Sequence, residues 1–355
     1  MISKPPFRVG ILTSGGDAPG MNAVIAGACD RIDAIGGQAV AIQGGFAGLA
    51  EGRVMSVGRD EARAHAHESG TWLGTSRWPP LVTPEGRRAC EQALEDRAIG
   101  ALVVIGGHGS ASGARTLAGL LPVAFVPATI DHDVAGTGAT IGMDSAIGYA
   151  LDVIDRLRVT GRSLPGRAFL VQTLGGPTGH LAVAVAAAAG IEEVLVPERP
   201  YDLEELACRL REAAQIGTGI AVMSEAVGDA VGLAADLAVR AGIRVHPTIL
   251  GHAQRAATPS ALDRAAGEAA GRSAVDELAS ARSVFVTVAA SGGVAPVPLA
   301  SSAEPRTLGF PASPSQGVSR SSPAIVRTPA RRRAEAWSWR RRSCTFALDV
   351  CATPG

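Results

Sequence analysis

Apolar residues along this chain fall into short unbroken runs, each closed by Gly, Pro, Ser or Asp, with longer mixed stretches between them. Runs of this length and closure read as strands buried on both faces, and the stretches between them carry helical spacing. Strands are predicted at 8–12, 38–42, 101–105, 123–126, 168–172, 193–196, 219–223 and 284–288. Strands alternating with helices predict an α/β fold with mainly parallel sheets covered on both faces. The Ala-rich run from Leu181 to Ile191 is too short to span a bilayer and reads as a buried helix. No internal repeat interrupts the pattern.

Three of the predicted strands end in unusual chemistry. The first runs into Thr13-Ser14-Gly15-Gly16-Asp17-Ala18-Pro19-Gly20, after which a helical pattern begins at Asn22. Paired glycines let the backbone approach a ligand, and N–H groups at a helix start can cradle phosphate. A purely structural tight turn accommodates the same residues. Neither GxxxxGK[ST] nor GxGxxG is present there. The second strand ends in Gly106-Gly107-His108-Gly109-Ser110, and the third in Thr129-Ile130-Asp131-His132-Asp133. Acids two apart at a strand's carboxyl end sit where open α/β sheets bind ligands. They could simply cap a turn; beside two glycine loops they suit a general base and a metal partner for phosphoryl transfer.

Composition adds limits. With 355 residues, 44 Gly and 46% hydrophobic residues, the chain can bury two cores. Zero net charge gives no pull toward nucleic acid or membrane. The five Cys (29, 90, 208, 344, 351) lack metal-ligand spacing and read as reduced thiols of a cytoplasmic protein, in keeping with an N-terminus lacking a signal-peptide pattern. From Ser301 the chain changes: nine Arg against three acids, with Pro and Ser in excess, leave the preceding 300 residues net negative by six. Such a tail is expected to be disordered.

Taken together the strand ends resemble those of the ATP-dependent 6-phosphofructokinase family, whose marks are TSGGDAPGMN, GGDGS and TIDND. GTWLGTSRWP (70–79), VIDRLR (153–158), SEAVG (224–228) and TILGHAQR (248–255) follow in family order, so the resemblance spans about residues 7–297. It implies two doubly wound lobes, 1–142 plus 256–300 binding nucleotide and 143–255 binding sugar phosphate, with the active site in the cleft between them and 301–355 as a divergent tail. It implies a glycolytic kinase with ATP and fructose 6-phosphate as partners, Mg²⁺ as cofactor and a homotetrameric assembly. Asp131 would be the catalytic base for the sugar 1-hydroxyl. Gly16, Arg77, Trp78, Gly107, His108, Gly109 and Ser110 would surround the nucleotide. Thr129, Asp133, Arg167, Leu174, Gly175, Gly176, Glu225, His246, His252 and Arg255 would face the sugar phosphate, with Arg167 reaching into a neighbouring subunit.

This sequence departs from the family pattern at several of these places. His108 stands where the family has Asp, so the metal position there carries imidazole in place of the oxygen that Mg²⁺ prefers, leaving Asp133 as the other metal candidate. His132 replaces Asn, Gly176 and His246 replace Arg, and Ala26 and Asp30 replace two basic residues of the effector site. Small residues at Gly109 and Ala128 favour ATP over pyrophosphate as donor. Two outcomes stay open from the sequence: a working 6-phosphofructokinase, or a relative that binds nucleotide or sugar phosphate without turnover.

Overall fold

A computed structural model of the chain describes residues 7–302, then Pro305, Arg306 and Leu308, and the backbone of Ala324–Val326. In chain order the described elements begin β1 (Arg8–Ser14), α1 (Met21–Ala34), β2 (Gln38–Ile42), α2 (Gly45–Ala50), β3 (Val54–Ser56), α3 (Arg59–His65) and α4 (Pro84–Asp96). They continue with β4 (Ala101–Gly106), α5 (His108–Leu117), β5 (Val123–Thr129), β6 (Ile141–Gly142), α6 (Met143–Ser163), β7 (Arg167–Thr173) and α7 (His180–Ala189). Next come β8 (Val194–Val196), α8 (Leu203–Gln215), β9 (Ile220–Ser224), α9 (Ala230–Ala241) and β10 (Arg244–Ile249). The last are α10 (Ala261–Ala279), β11 (Val284–Val288), β12 (Val294–Pro298) and β13 (Ala324–Val326).

These strands form two sheets. The first has the order β12-β11-β5-β4-β1-β2-β3, with β6 added to β5. Its central strands run parallel, and antiparallel β12 and β3 close its edges. The second has the order β10-β7-β9-β8-β13, parallel except for β13. Each predicted strand is present, and the central ones are buried along their whole length, as continuous apolar runs require. Mainly parallel sheets with helices on both faces bear out the α/β expectation. In the first sheet β2 lies on one side of β1 and β4 on the other, so the chain reverses its winding between β1 and β4. Ligands bind outside the carboxyl ends of strands at such a point, and there Ser14 stands in register with Gly106.

The Leu181–Ile191 run largely forms α7, with Leu181, Ala182, Val185, Ala186 and Ala189 buried. Among the described residues no helix is long and apolar enough to cross a membrane. Cys29 and Cys90 are buried free thiols, and burial pushes both up to about 12. Cys208 is half-buried, while Cys344 and Cys351 lie outside the described residues. Most of the tail expected to be disordered also lies outside them; among those described, Pro305 bridges Val134 and Leu308 packs against the core.

The two halves are joined at Asp263 on α10. Its carboxylate accepts from the Gly142 N–H (2.9 Å), the Ser145 N–H (2.9 Å) and the Ser145 hydroxyl (2.5 Å), so an acid from α10 caps the first turn of α6. Asp263 is almost wholly buried. Asp263→Ala would strand three buried donors and is expected to cost about 1–3 kcal/mol, measurable as a lowered urea midpoint at unchanged slope. An unaltered midpoint would show that the joint needs no acid.

Candidate active site

β1, β4 and β5 deliver their three loops to one cleft of about 360 Å³. Gly16, Arg77, Trp78, Gly107, His108, Gly109, Ser110, Thr129, Asp131, Asp133 and Arg255 all line it. Eleven residues singled out from the sequence, spread over 240 positions, therefore meet. Ser110 fastens the first two loops together: its hydroxyl donates to the Ser14 carbonyl at 3.0 Å. A Cβ at Gly109 would meet nothing within 4 Å, so this side of the cleft stays open.

Asp131 lies at the focus. Its N–H donates to the Thr129 hydroxyl at 3.2 Å, and that hydroxyl belongs to the last residue of β5. Burial holds its carboxyl above the usual carboxylate range; Arg255 pulls it down, while Asp133 and Glu225 push it further up. Arg255 donates from Nη2 to Asp131 Oδ1 at 3.4 Å and from Nη1 to the Asp17 carbonyl at 3.3 Å. One guanidinium thus joins the first glycine loop to the acidic loop. A Cβ at Gly16 would come within 2.6 Å of Arg255 Nη1, so only glycine lets the guanidinium lie against this loop.

Partial burial raises the Asp133 carboxyl too, while a hydrogen bond from its own backbone amide and His108 pull it back. His108 opens α5, and its backbone also bonds Asp133. Asp133 Oδ1 has no hydrogen-bond partner, and neither has His108 Nδ1. A buried carboxylate oxygen without a partner, facing a phosphate-sized cleft, suits a hard cation that shares its other ligands with phosphate and water. No group of three or more His, Cys, Asp or Glu able to hold a metal occurs among the described residues, so any such cation depends on its ligand's oxygens.

Leu174, Gly175 and Gly176 follow β7 toward the same place. Gly176 is left-handed (φ 60°), and a Cβ there would stand 3.2 Å from Asp131 Oδ2. Its N–H donates to Glu225 Oε1 at 2.8 Å. The Gly176 backbone thus holds Glu225 in place, near enough for its charge to raise the Asp131 carboxyl. A left-handed side chain costs about 1–2 kcal/mol, so Arg would fit position 176 only with strain.

The remaining expected residues stand apart from the cleft. His252 is exposed in the turn Gly251–Gln254, although Arg255 three residues on is half-buried among the loops. His246 packs on Phe169 with ring centroids 5.9 Å apart. Arg167 opens β7, and seven residues of strand set it roughly 20 Å from the Leu174–Gly176 end. Sequence reasoning did not single out Gln254, which is fully buried, accepts from the Leu174 N–H at 2.9 Å and donates to the Ala146 carbonyl at 3.2 Å. This buried amide ties the loop after β7 to the first turn of α6, and nothing in the local sequence distinguishes it from a surface Gln.

Glycine loops and a half-buried acid pair at a winding reversal are the marks of a phosphate-handling α/β protein. The phosphofructokinase family model matches residues 8–278. The ATP-dependent 6-phosphofructokinase of Lactobacillus delbrueckii subsp. bulgaricus is 40% identical over 272 residues, 76% of this chain and 85% of that protein. ATP-dependent 6-phosphofructokinase 1 of Thermus thermophilus is 36% identical over 305 residues, 84% and 94% of the two chains. Among solved structures, Pichia pastoris phosphofructokinase in the T-state superposes with a TM-score of 0.78 at 26% identity, covering 84% of this chain and 36% of that one. The chain belongs to the phosphofructokinase family.

Proposed function

We propose that the chain is an ATP-dependent 6-phosphofructokinase, transferring the γ-phosphoryl group of ATP to the 1-hydroxyl of fructose 6-phosphate to give ADP and fructose 1,6-bisphosphate. The observation that carries this reading is Asp131: a half-buried carboxylate held above its ordinary range, at the junction of two glycine loops and a half-buried arginine. A base poised in this way takes the hydroxyl proton as the oxygen attacks phosphorus. Phosphoryl transfer asks the protein chiefly for positioning and charge. N–H groups of the Gly16 and Gly107–Gly109 loops cradle the nucleotide phosphates, Arg77 and Trp78 flank the nucleotide, and Arg255 offsets charge developing beside Asp131. Thr129 orients Asp131, and Glu225, aimed by Gly176, accepts from sugar hydroxyls.

Asp133 Oδ1 is the protein oxygen that would hold Mg²⁺, which supplies charge neutralisation on the β- and γ-phosphates when bound. His108 sits beside Asp133 and offers nitrogen instead. His108→Asp is therefore expected to lower the Mg²⁺ concentration for half-maximal rate by on the order of tenfold. An unmoved Mg²⁺ dependence would remove position 108 from the metal's surroundings.

Residues 1–142 with 256–300 would form the nucleotide lobe and 143–255 the sugar-phosphate lobe. Arg167 lies too far along β7 to serve its own chain's cleft, which favours a homo-oligomer in which it serves a neighbour's. The soluble, cytoplasmic setting of glycolysis suits such an enzyme. ADP release by the full chain with Mg·ATP, measured with and without fructose 6-phosphate, tests the reading. Release that depends on the sugar phosphate supports it, and release indifferent to the sugar phosphate, or none, refutes it.

A further inference from the structure

The residue between the two acids faces away from the cleft. His132 is left-handed (φ 53°) and 7% exposed, and its ring meets His180 edge-on with centroids 5.6 Å apart. Thr140 spends its hydroxyl proton on the Thr129 carbonyl at 2.7 Å, so its oxygen can only accept from His132 Nδ1, 3.3 Å away. The Nδ1 proton leaves Nε2 as a lone pair, and Arg306 Nη1 lies 2.6 Å from it. The same Nη1 donates to the Thr137 carbonyl at 3.0 Å, and the Arg306 N–H donates to the Asp133 carbonyl at 2.8 Å. Pro305 adds a bridge to Val134, and the His180 ring bonds the Arg306 backbone. Arg306 comes 174 residues after His132, yet it engages the acidic loop of the first sheet and the first residue of α7 on the second.

We propose that Arg306 is a positioning residue for phosphoryl transfer: it clamps the strained His132 backbone and thereby fixes the directions in which Asp131 and Asp133 enter the cleft. A left-handed residue other than glycine persists when its surroundings over-determine it, and three hydrogen bonds from Arg306 to this loop do so. A charge-assisted hydrogen bond onto a neutral ring is among the stronger single contacts available. The two acids and the clamp thus alternate along three consecutive residues, acids toward the substrates and the clamp toward the tail. The effect on rate rests on the kinase reading above; the clamp itself does not.

The test uses the full chain, Arg306→Ala and Arg306→Lys. In Arg306→Ala, deuterium uptake over 130–137 should rise while uptake over β1 stays put. Its kcat should fall roughly tenfold to a hundredfold, the cost of slightly misplaced reacting groups, with the KM for ATP within about twofold. Arg306→Lys should recover part of both. Uptake over 130–137 equal to wild type overturns the clamp whatever the activity, and raised uptake with wild-type kcat overturns the positioning role. A wild-type chain without turnover refutes the kinase reading alone, because the exchange comparison still decides the clamp.

Discussion

Asp131→Asn is expected to lower kcat by roughly 10²–10⁴-fold, the range that a positioned general base supplies, while leaving the fold intact. Asn keeps the shape and the N–H to Thr129 but cannot take the sugar proton. The direction of the Asp131 shift adds two checks. Burial first, then Asp133 and Glu225, outweigh Arg255 and hold its carboxyl above the usual range. The base works only when ionised, so wild-type kcat/KM should fall as pH drops through a value above that of an ordinary aspartate. A raised folded-state value also means that the ionised form opposes folding at pH 7, since the folded chain holds this proton more tightly than the unfolded one. Asp131→Asn should therefore melt no lower than wild type at pH 7. Full activity in the variant would remove Asp131 as the base, and a lowered melting temperature would make its loss of rate a matter of folding.

Arg255→Ala is expected to cost roughly 10²–10³ in kcat, or about 2.7–4 kcal/mol, as for removal of one preorganised group that stabilises transition-state charge. Arg255 alone among the lining cations touches both the glycine loop, at the Asp17 carbonyl, and the acid, at Asp131. It also lowers Asp131, so its removal should move the acid limb of the rate profile to higher pH. That movement separates it from Arg77, which is exposed and, among the described residues, makes no hydrogen bond or ion pair with Asp131. A profile that keeps its acid limb while kcat falls would place Arg255 on the substrate only.

Edge elements were the least legible parts of the fold. The predicted strands at 38–42 and 284–288 coincide with β2 and β11, whereas β3, β6, β10 and β12 gave no apolar run. β10 reads Arg-Val-His-Pro-Thr-Ile and β12 Val-Ala-Pro-Val-Pro. Both are edge strands, where one face of hydrogen bonds is free, so Pro and polar residues are tolerated and the pattern of a buried strand disappears. The loops at the cleft were legible for the opposite reason. Close approach to phosphate demands glycine, and a carboxylate pair at a strand end is conspicuous among apolar neighbours.

Sequence by itself determined the alternating elements, the three glycine- and acid-bearing strand ends and family membership, because those depend on residue types in local order. Tertiary structure decided which groups meet. It turned Arg255 onto Asp131, let the Gly176 backbone aim Glu225, and set Arg167 far along β7 from its own cleft. It placed Gln254, Asp263 and Arg306 at joints that no local spacing marks. A buried polar group is identified by its partners, and these partners lie 80 to 174 residues away along the chain.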